Sequence, residues 1–170
     1  TVRDGRVVYA LGALKGVGVE AMALIVEARG DKVFATLFDF ARRVDMKRVG
    51  KRPLEMLARA GAFDVLDPNR ARVFEALDAL VAYSAAVHEA KASTQVSLFG
   101  DSGGDLPEPR LPFRDDWLPV ERLTQEHQAI GFYLSGHPLD DYMSALKRKD
   151  VKTLADVTVM AERGPLVAKM

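Results

Sequence analysis

The sequence predicts a mainly α fold: two helix–hairpin–helix units in tandem plus additional helices, a small β-hairpin at the N-terminus and a truncated β segment at the C-terminus. Three observations carry this prediction. Apolar residues recur at helical spacing over several windows, glycines punctuate those windows at turn positions, and basic residues gather at the second of two such turns.

Each element has a local reason. Asp4-Gly5 between short β-prone runs is the pattern of a two-residue hairpin. Leu11 and Leu14 are spaced for a short helix, which Lys15-Gly16-Val17-Gly18 breaks. Over residues 19–29, Met22, Ile25, Val26 and Arg29 recur at helical spacing, with Gly30 as the stop. Thr36 is a natural N-cap for a helix carrying Leu37, Phe38, Phe40 and Val44. A basic hairpin over residues 47–52 follows. Pro53 then suits the first turn of a helix with Leu54, Leu57 and Ala58, ended by Gly61. Residues 69–92 read as one longer helix, with Val73, Phe74, Leu77, Leu80 and Val81 on its apolar side. Prolines set among charges forbid regular structure in the later part of a linker over residues 93–116. A helix is expected over 117–134, with Leu123, Ile130 and residues 132–134 on its apolar side. After a turn at "SGHPLDDY", Pro138 starts a short helix to about Lys147. Residues 151–170 are expected to be β-rich, as the first strand of a further domain. The organisation expected is therefore 1–10, 11–92, 93–116, 117–150 and 151–170. The chain begins at Thr1, ends on the apolar "GPLVAKM" and reads as a segment of a longer protein.

A balanced charge hides an uneven distribution. Lys+Arg 24 cancels Asp+Glu 24 overall, but residues 1–60 hold 12 basic and 7 acidic residues against 12 and 17 in the remainder. A basic first third suggests a polyanion on one side only. With no cysteine, disulfides, thiol nucleophiles and cysteine zinc sites are excluded, which fits a cytosolic setting. No apolar run approaches the ~18 residues of a membrane span, so no membrane partner is expected.

The candidate binding residues follow from these patterns. At Lys15, Gly16, Val17 and Gly18, absent side chains let the backbone approach a phosphate closely, unsatisfied N–H groups point outward at a positive helix end, and Lys15 adds charge. Such a site grips a backbone and reads no bases. A helical hairpin that uses glycine only for its tight turn is the competing reading. At the second turn the case rests on Arg48, Gly50, Lys51 and Arg52 within a run that also holds Arg42, Arg43 and Lys47, and a solvated charged face is the alternative. In "QVSLF" (Gln95, Val96, Ser97, Leu98, Phe99), a glutamine and an adjacent Leu-Phe pair suit a peptide-binding cleft. Spacing alone leaves equally open that Leu98 and Phe99 fill the chain's own core. His88, His127 and His137 lack metal-ligand spacing, and no nucleophile triad, Walker loop or dinucleotide fingerprint is present. No catalytic residue and no metal site is expected.

The stretches "YALGALKGVG", "FDFARRVD", "LARAGAFD", "NRA", "QVSLF" and "IGFYLSGHPLDDY", in this order and at these spacings, resemble the bacterial replicative DNA polymerase III alpha subunit over essentially all 170 residues. The resemblance implies the end of the fingers and the clamp-binding domain with its tandem helix-hairpin-helix, running into the first strand of an OB-like domain. It implies duplex DNA contact through Lys15, Gly16, Val17 and Gly18, and less surely through the hairpin from Arg48 to Arg52. It implies docking on the β sliding clamp through Gln95, Val96, Ser97, Leu98 and Phe99, and association with other replicative subunits in the bacterial cytoplasm, at the nucleoid. The catalytic aspartates and their Mg²⁺ would lie in a palm domain that this chain does not contain. No cofactor is expected in the fragment, which would itself be non-catalytic within a nucleotidyltransferase. Two other classes compete: a helical protein-interaction scaffold, and a repair or nuclease helix-hairpin-helix domain.

Overall fold

In a computed structural model, the structure describes residues 2–3, 5–7, 9–92 and 106–162. The chain divides into two compact units, Thr1–Leu134 and Ser135–Met170.

The first unit opens with two strands, β1 (Val2–Arg3) and β2 (Arg6–Val7), paired antiparallel with Val2 opposite Val7. A 3₁₀ turn (Leu11–Ala13) leads through the first glycine turn to helix α1 (Gly18–Arg29). Helices α2 (Leu37–Arg43), α3 (Met46–Val49) and α4 (Lys51–Arg59) follow, then the long α5 (Arg70–Ala92). Helix α6 (Pro119–Ile130) completes the unit. Helix α1 packs on α3, while α2, α3 and α4 all pack on α5, and α4 also on α6. Helix α5 is therefore the central post, which explains why Val73, Ala76, Leu77, Leu80, Tyr83 and Val87 are buried along it.

Most of the apolar positions expected of the helices form the core, but Leu11 and Val26 are exposed. Leu37 and Phe40 of α2, Leu54, Leu57 and Ala58 of α4, and Ile25 of α1 are all buried in one cluster. Phe40 joins Phe34 and Phe63 edge-to-face, at 5.0 and 5.1 Å between ring centroids. Thr36 caps α2, its Oγ1 accepting from the Asp39 amide at 3.0 Å, while the Ala35 amide donates to Asp39 Oδ2 at 3.0 Å. Buried polar groups hold the post in register. The Met46 amide donates to Ser84 Oγ (3.1 Å), which donates in turn to the Val44 carbonyl (2.7 Å). Arg70 forms a bidentate pair with Asp64 and faces Glu126 of α6 at 3.7 Å. Burial opposes the charge on Arg70, but Asp64, Glu126 and Asp116 overcompensate, and its pKa is raised. Gly61 (φ +80°) makes room for this guanidinium: a Cβ there would sit 2.1 Å from Arg70 Nη2.

Several expectations need correction. The basic hairpin placed over residues 47–52 is mostly helix: Met46–Val49 and Lys51–Arg59 are helical and only Gly50 (φ +92°) separates them. The helix placed over 117–134 spans Pro119–Ile130, because Gly131 (φ +102°) ends it in a left-handed C-cap. Its last expected residues fall beyond that cap, where Tyr133 stacks on His127 (4.8 Å) and Phe132 meets Tyr9 edge-on (5.6 Å). The described part of the linker, from residue 106, has no regular structure but is not free of the body. Leu106 and Leu111 pack on the core, Asp116 accepts from the Ala71 amide (3.0 Å), and Trp117 is buried against Phe74.

In the second unit, a 3₁₀ turn (Asp140–Tyr142) precedes helix α7 (Met143–Arg148), so the short helix starts later than Pro138. His137 fixes the turn before it: its amide donates to Asp140 Oδ2 (2.7 Å) and its Nδ1 accepts from the Leu139 amide (3.1 Å). The β segment expected over 151–170 is helical over its described core, as α8 (Leu154–Ala161). A reciprocal capping box between Thr153 and Asp156 nucleates this helix and outweighs the β-branched residues within it. The Thr153 hydroxyl and amide hold the Asp156 carboxyl below its ordinary pKa. The Gly-Pro turn and the residues after it lie outside the described residues.

Candidate nucleic-acid interface

The first turn is anchored from beneath by two apolar side chains, Leu14 (3% exposed) and Val17 (4%). Val17, a candidate contact residue in the sequence, therefore turns its side chain into the core and presents only backbone. Gly16 and Gly18 are exposed, with φ of +74° and +72°, a conformation that side-chain-bearing residues adopt at a cost. A Cβ on Gly18 would meet nothing within 4 Å. Lys15 is exposed, but its amide is tied to the Ala129 carbonyl of α6 at 3.0 Å. Its ammonium end lies beside Gly131, where α6 ends, so the cation sits favourably at the negative end of that helix.

The second turn lies directly against the first. A Cβ built on Gly16 would be 3.1 Å from Arg52 Nε, so Arg52 of α4 covers the first glycine turn. The sequence separates these residues widely, and only the packing of α1 on α3, with α4 following at once, brings them together. Arg48, Lys51 and Arg52 are exposed, as is Lys47, and Gly50 is half-buried.

The helix starts of this region differ in their caps, and α6 and α7 elsewhere also lack a side-chain cap bond. Helices α2 and α3 have side-chain caps from Thr36 and Asp45. Helices α1 and α4 have Val17 and Gly50 at the N-cap and no side-chain cap bond. Their first N–H groups form the positive end of each helix. Helix α4 then places Lys51 and Arg52 in its first turn with no acidic residue there, against the usual preference for negative charge at this end. Two cations at a positive helix terminus repel it unless an anion lies nearby. Part of that repulsion is met within the chain: Lys51 Nζ lies 2.7 Å from Asp78 Oδ1 on α5, and this hydrogen bond raises the Lys51 pKa.

The basic run of the sequence thus splits in two. Arg43 is structural: its guanidinium donates to the carbonyls of Ala28 and Arg29 at the end of α1 and of Lys32 and Val33 beyond it, pairs with Asp39, and lies 4.6 Å from the Phe34 ring centroid. Arg42 pairs with Glu108 at 2.7 Å and reaches the Tyr83 hydroxyl, and these two contacts hold its pKa up. Neither belongs to the exposed face. Sequence reasoning missed the Arg52–Gly16 contact and the Asp78 partner; neither carries a local signal, because both depend on tertiary packing. Gln95, Val96, Ser97, Leu98 and Phe99 lie outside the described residues. Among the described residues no helix is long and apolar enough to cross a membrane, and no group of three or more His, Asp or Glu could hold a metal ion.

Two exposed glycine turns, each leading into a helix packed on a shared core, define a helix-hairpin-helix segment. The family model for the helix-hairpin-helix motif matches residues 1–73. Over nearly its full length the chain is also similar to DNA polymerase III subunit alpha of several bacteria. It is 41% identical to that of Caulobacter vibrioides over 99% of the chain, and 39% identical to that of Neisseria meningitidis over 96%. With that of Escherichia coli it shares 37% identity over 85% of the chain. The chain belongs to the DNA polymerase III alpha subunit family, and it spans only 13–16% of the length of these three relatives.

Proposed function

We propose that this chain is the duplex-gripping and clamp-tethering segment of a replicative DNA polymerase. The observation that carries the DNA part is the meeting of two exposed turns, Lys15, Gly16 and Gly18 at the first and Arg48, Lys51 and Arg52 at the second, joined where Arg52 lies over Gly16, with two cations at the start of α4. Phosphates suit such a face, since they accept from the open N–H groups and neutralise the repulsion at α4. Backbone recognition of this kind is independent of sequence. The relatives' name supports a DNA polymerase as the parent. Nucleotide addition would then belong to parts of the parent outside this segment, and the segment itself would contribute grip and position.

The clamp part rests on the sequence of residues 95–99 alone. Gln95 would bind a polar rim while Leu98 and Phe99 fill an apolar cleft on a β sliding clamp, with Val96 and Ser97 as spacers. A weak peptide contact joined to weak DNA binding yields an avidity of ~10²–10⁴ over either alone where geometry permits both. Two measurements test the proposal. Fluorescence anisotropy on duplexes of unrelated sequence is expected to give equal affinities that fall steeply with salt; affinity that ignores salt would refute the DNA part. A pull-down with a purified sliding clamp is expected to lose the chain when Leu98→Ala and Phe99→Ala are combined, with duplex affinity kept. Clamp capture equal to wild type would refute the tether.

A further inference from the structure

Of the exposed cations of the proposed DNA face, Lys51 has an acidic partner. Its ammonium is 2.7 Å from Asp78 Oδ1, with both side chains more than half exposed, at 56% and 75%. An exposed pair of this kind contributes little to stability, because water screens it and two side chains are held in one geometry. Its placement matters more than its strength. Asp78 sits on the central post α5, and it reaches across to the first residue of α4, where the open N–H groups of the second turn also lie. Arg48 and Arg52 have no such carboxylate partner among the described residues.

We infer that Asp78 is a built-in competitor of DNA phosphate: it occupies Lys51 in the free chain and limits how tightly the second turn holds a duplex. This rests on the duplex-gripping reading above. When a phosphate arrives, Lys51 must leave Asp78 or share itself, and the carboxylate stays close to the phosphate in either case. Two unit charges about 7 Å apart in water repel by roughly RT, a factor of about three in affinity for each phosphate so placed. The counterion balance is affected as well. A cation already neutralised by a carboxylate displaces few counterions from DNA, so Lys51 adds little to the salt dependence while Asp78 is present. Such a brake suits a protein that must move along DNA, because it lowers residence without removing the cations that steer association.

The test is a double-mutant cycle on the chain, read by anisotropy with a labelled duplex across about 50–200 mM salt. Asp78→Asn is expected to tighten binding about threefold or more at the low-salt end and to steepen the slope of log K against log salt by about 0.9. Lys51→Ala is expected to change the slope little on its own, and to abolish the gain when added to Asp78→Asn. Asp115→Asn, which makes the same change in net charge elsewhere, is expected to leave the slope alone. Salt-dependent binding by the wild-type chain with an unaltered slope and affinity in Asp78→Asn would overturn the competitor role while leaving the DNA face intact. The same gain in Asp115→Asn would also overturn it, since net charge would then be the cause. A wild-type chain that binds no duplex at any salt would remove both the DNA face and its competitor.

Discussion

Gly16 carries two constraints at once, and they separate it from most turn glycines. Its φ of +74° excludes an unstrained L side chain, and a Cβ would stand 3.1 Å from Arg52 Nε, close enough that Arg52 must give slightly. Gly16→Ala is therefore expected to cost about 1–2 kcal/mol from the backbone alone, with Arg52 pushed outward, as measured by urea denaturation. Gly18 has nearly the same φ (+72°) but open surroundings, so Gly18→Ala is expected to cost a similar amount in backbone strain without moving Arg52. Ser84 is the corresponding single point in the core. Ser84→Ala leaves the Met46 amide and Val44 carbonyl without their partner, and is expected to cost about 1–3 kcal/mol in the same assay. Only part of this is visible in the chain. The glycine turn is legible in Lys15-Gly16-Val17-Gly18, and Val17 belongs to it, but the burial of Val17 is not legible there. A residue within a four-residue turn has no periodicity to say which way it faces.

Elements are legible where local chemistry and tertiary need agree. Thr36 caps α2, Gly61 ends the stretch after α4, and the apolar spacing of 69–92 gives α5 nearly to its ends. They are obscured where two local signals compete. In residues 151–161, β-branched Val and Thr point to a strand, whereas Thr153-Leu-Ala-Asp156 has the spacing of a capping box, and the capping box decides the outcome. In the linker from residue 106, prolines and charges do exclude regular structure. They say nothing of Leu106, Leu111 and Trp117 packing on the core. The cap of α2 gives a pH prediction. The Ala35 amide, then Arg43, hold the Asp39 carboxyl below its ordinary value against the opposing effect of burial. A carboxylate whose folded pKa is depressed contributes its full stability above the unfolded value of ~3.9 and loses it as pH falls through the folded value. Asp39→Asn is thus expected to destabilise the chain at neutral pH and to flatten the acid limb of its stability curve, measured by denaturation from neutral pH downward. A mutant curve parallel to wild type would refute the assignment.

At the scale of the whole molecule, the packing of α1 on α3 converts two weak sequence signals into one basic face. Net charge gives no warning of it, because an acidic remainder cancels the basic first third. The run from Arg42 to Arg52 overstates it, because Arg42 and Arg43 are spent on Glu108 and on the end of α1. What remains is Lys15 and Arg52 at the first turn, with Arg48 and Lys51 near Arg52 in the chain, around two helix starts that lack side-chain caps. The measurement that tests this most directly is the salt dependence of duplex binding by wild type and by the triple variant Lys15→Ala, Arg48→Ala, Arg52→Ala. The face predicts a slope shallower by about one unit for each phosphate that the variant no longer holds, equally on every sequence. A triple variant with the wild-type slope would contradict it.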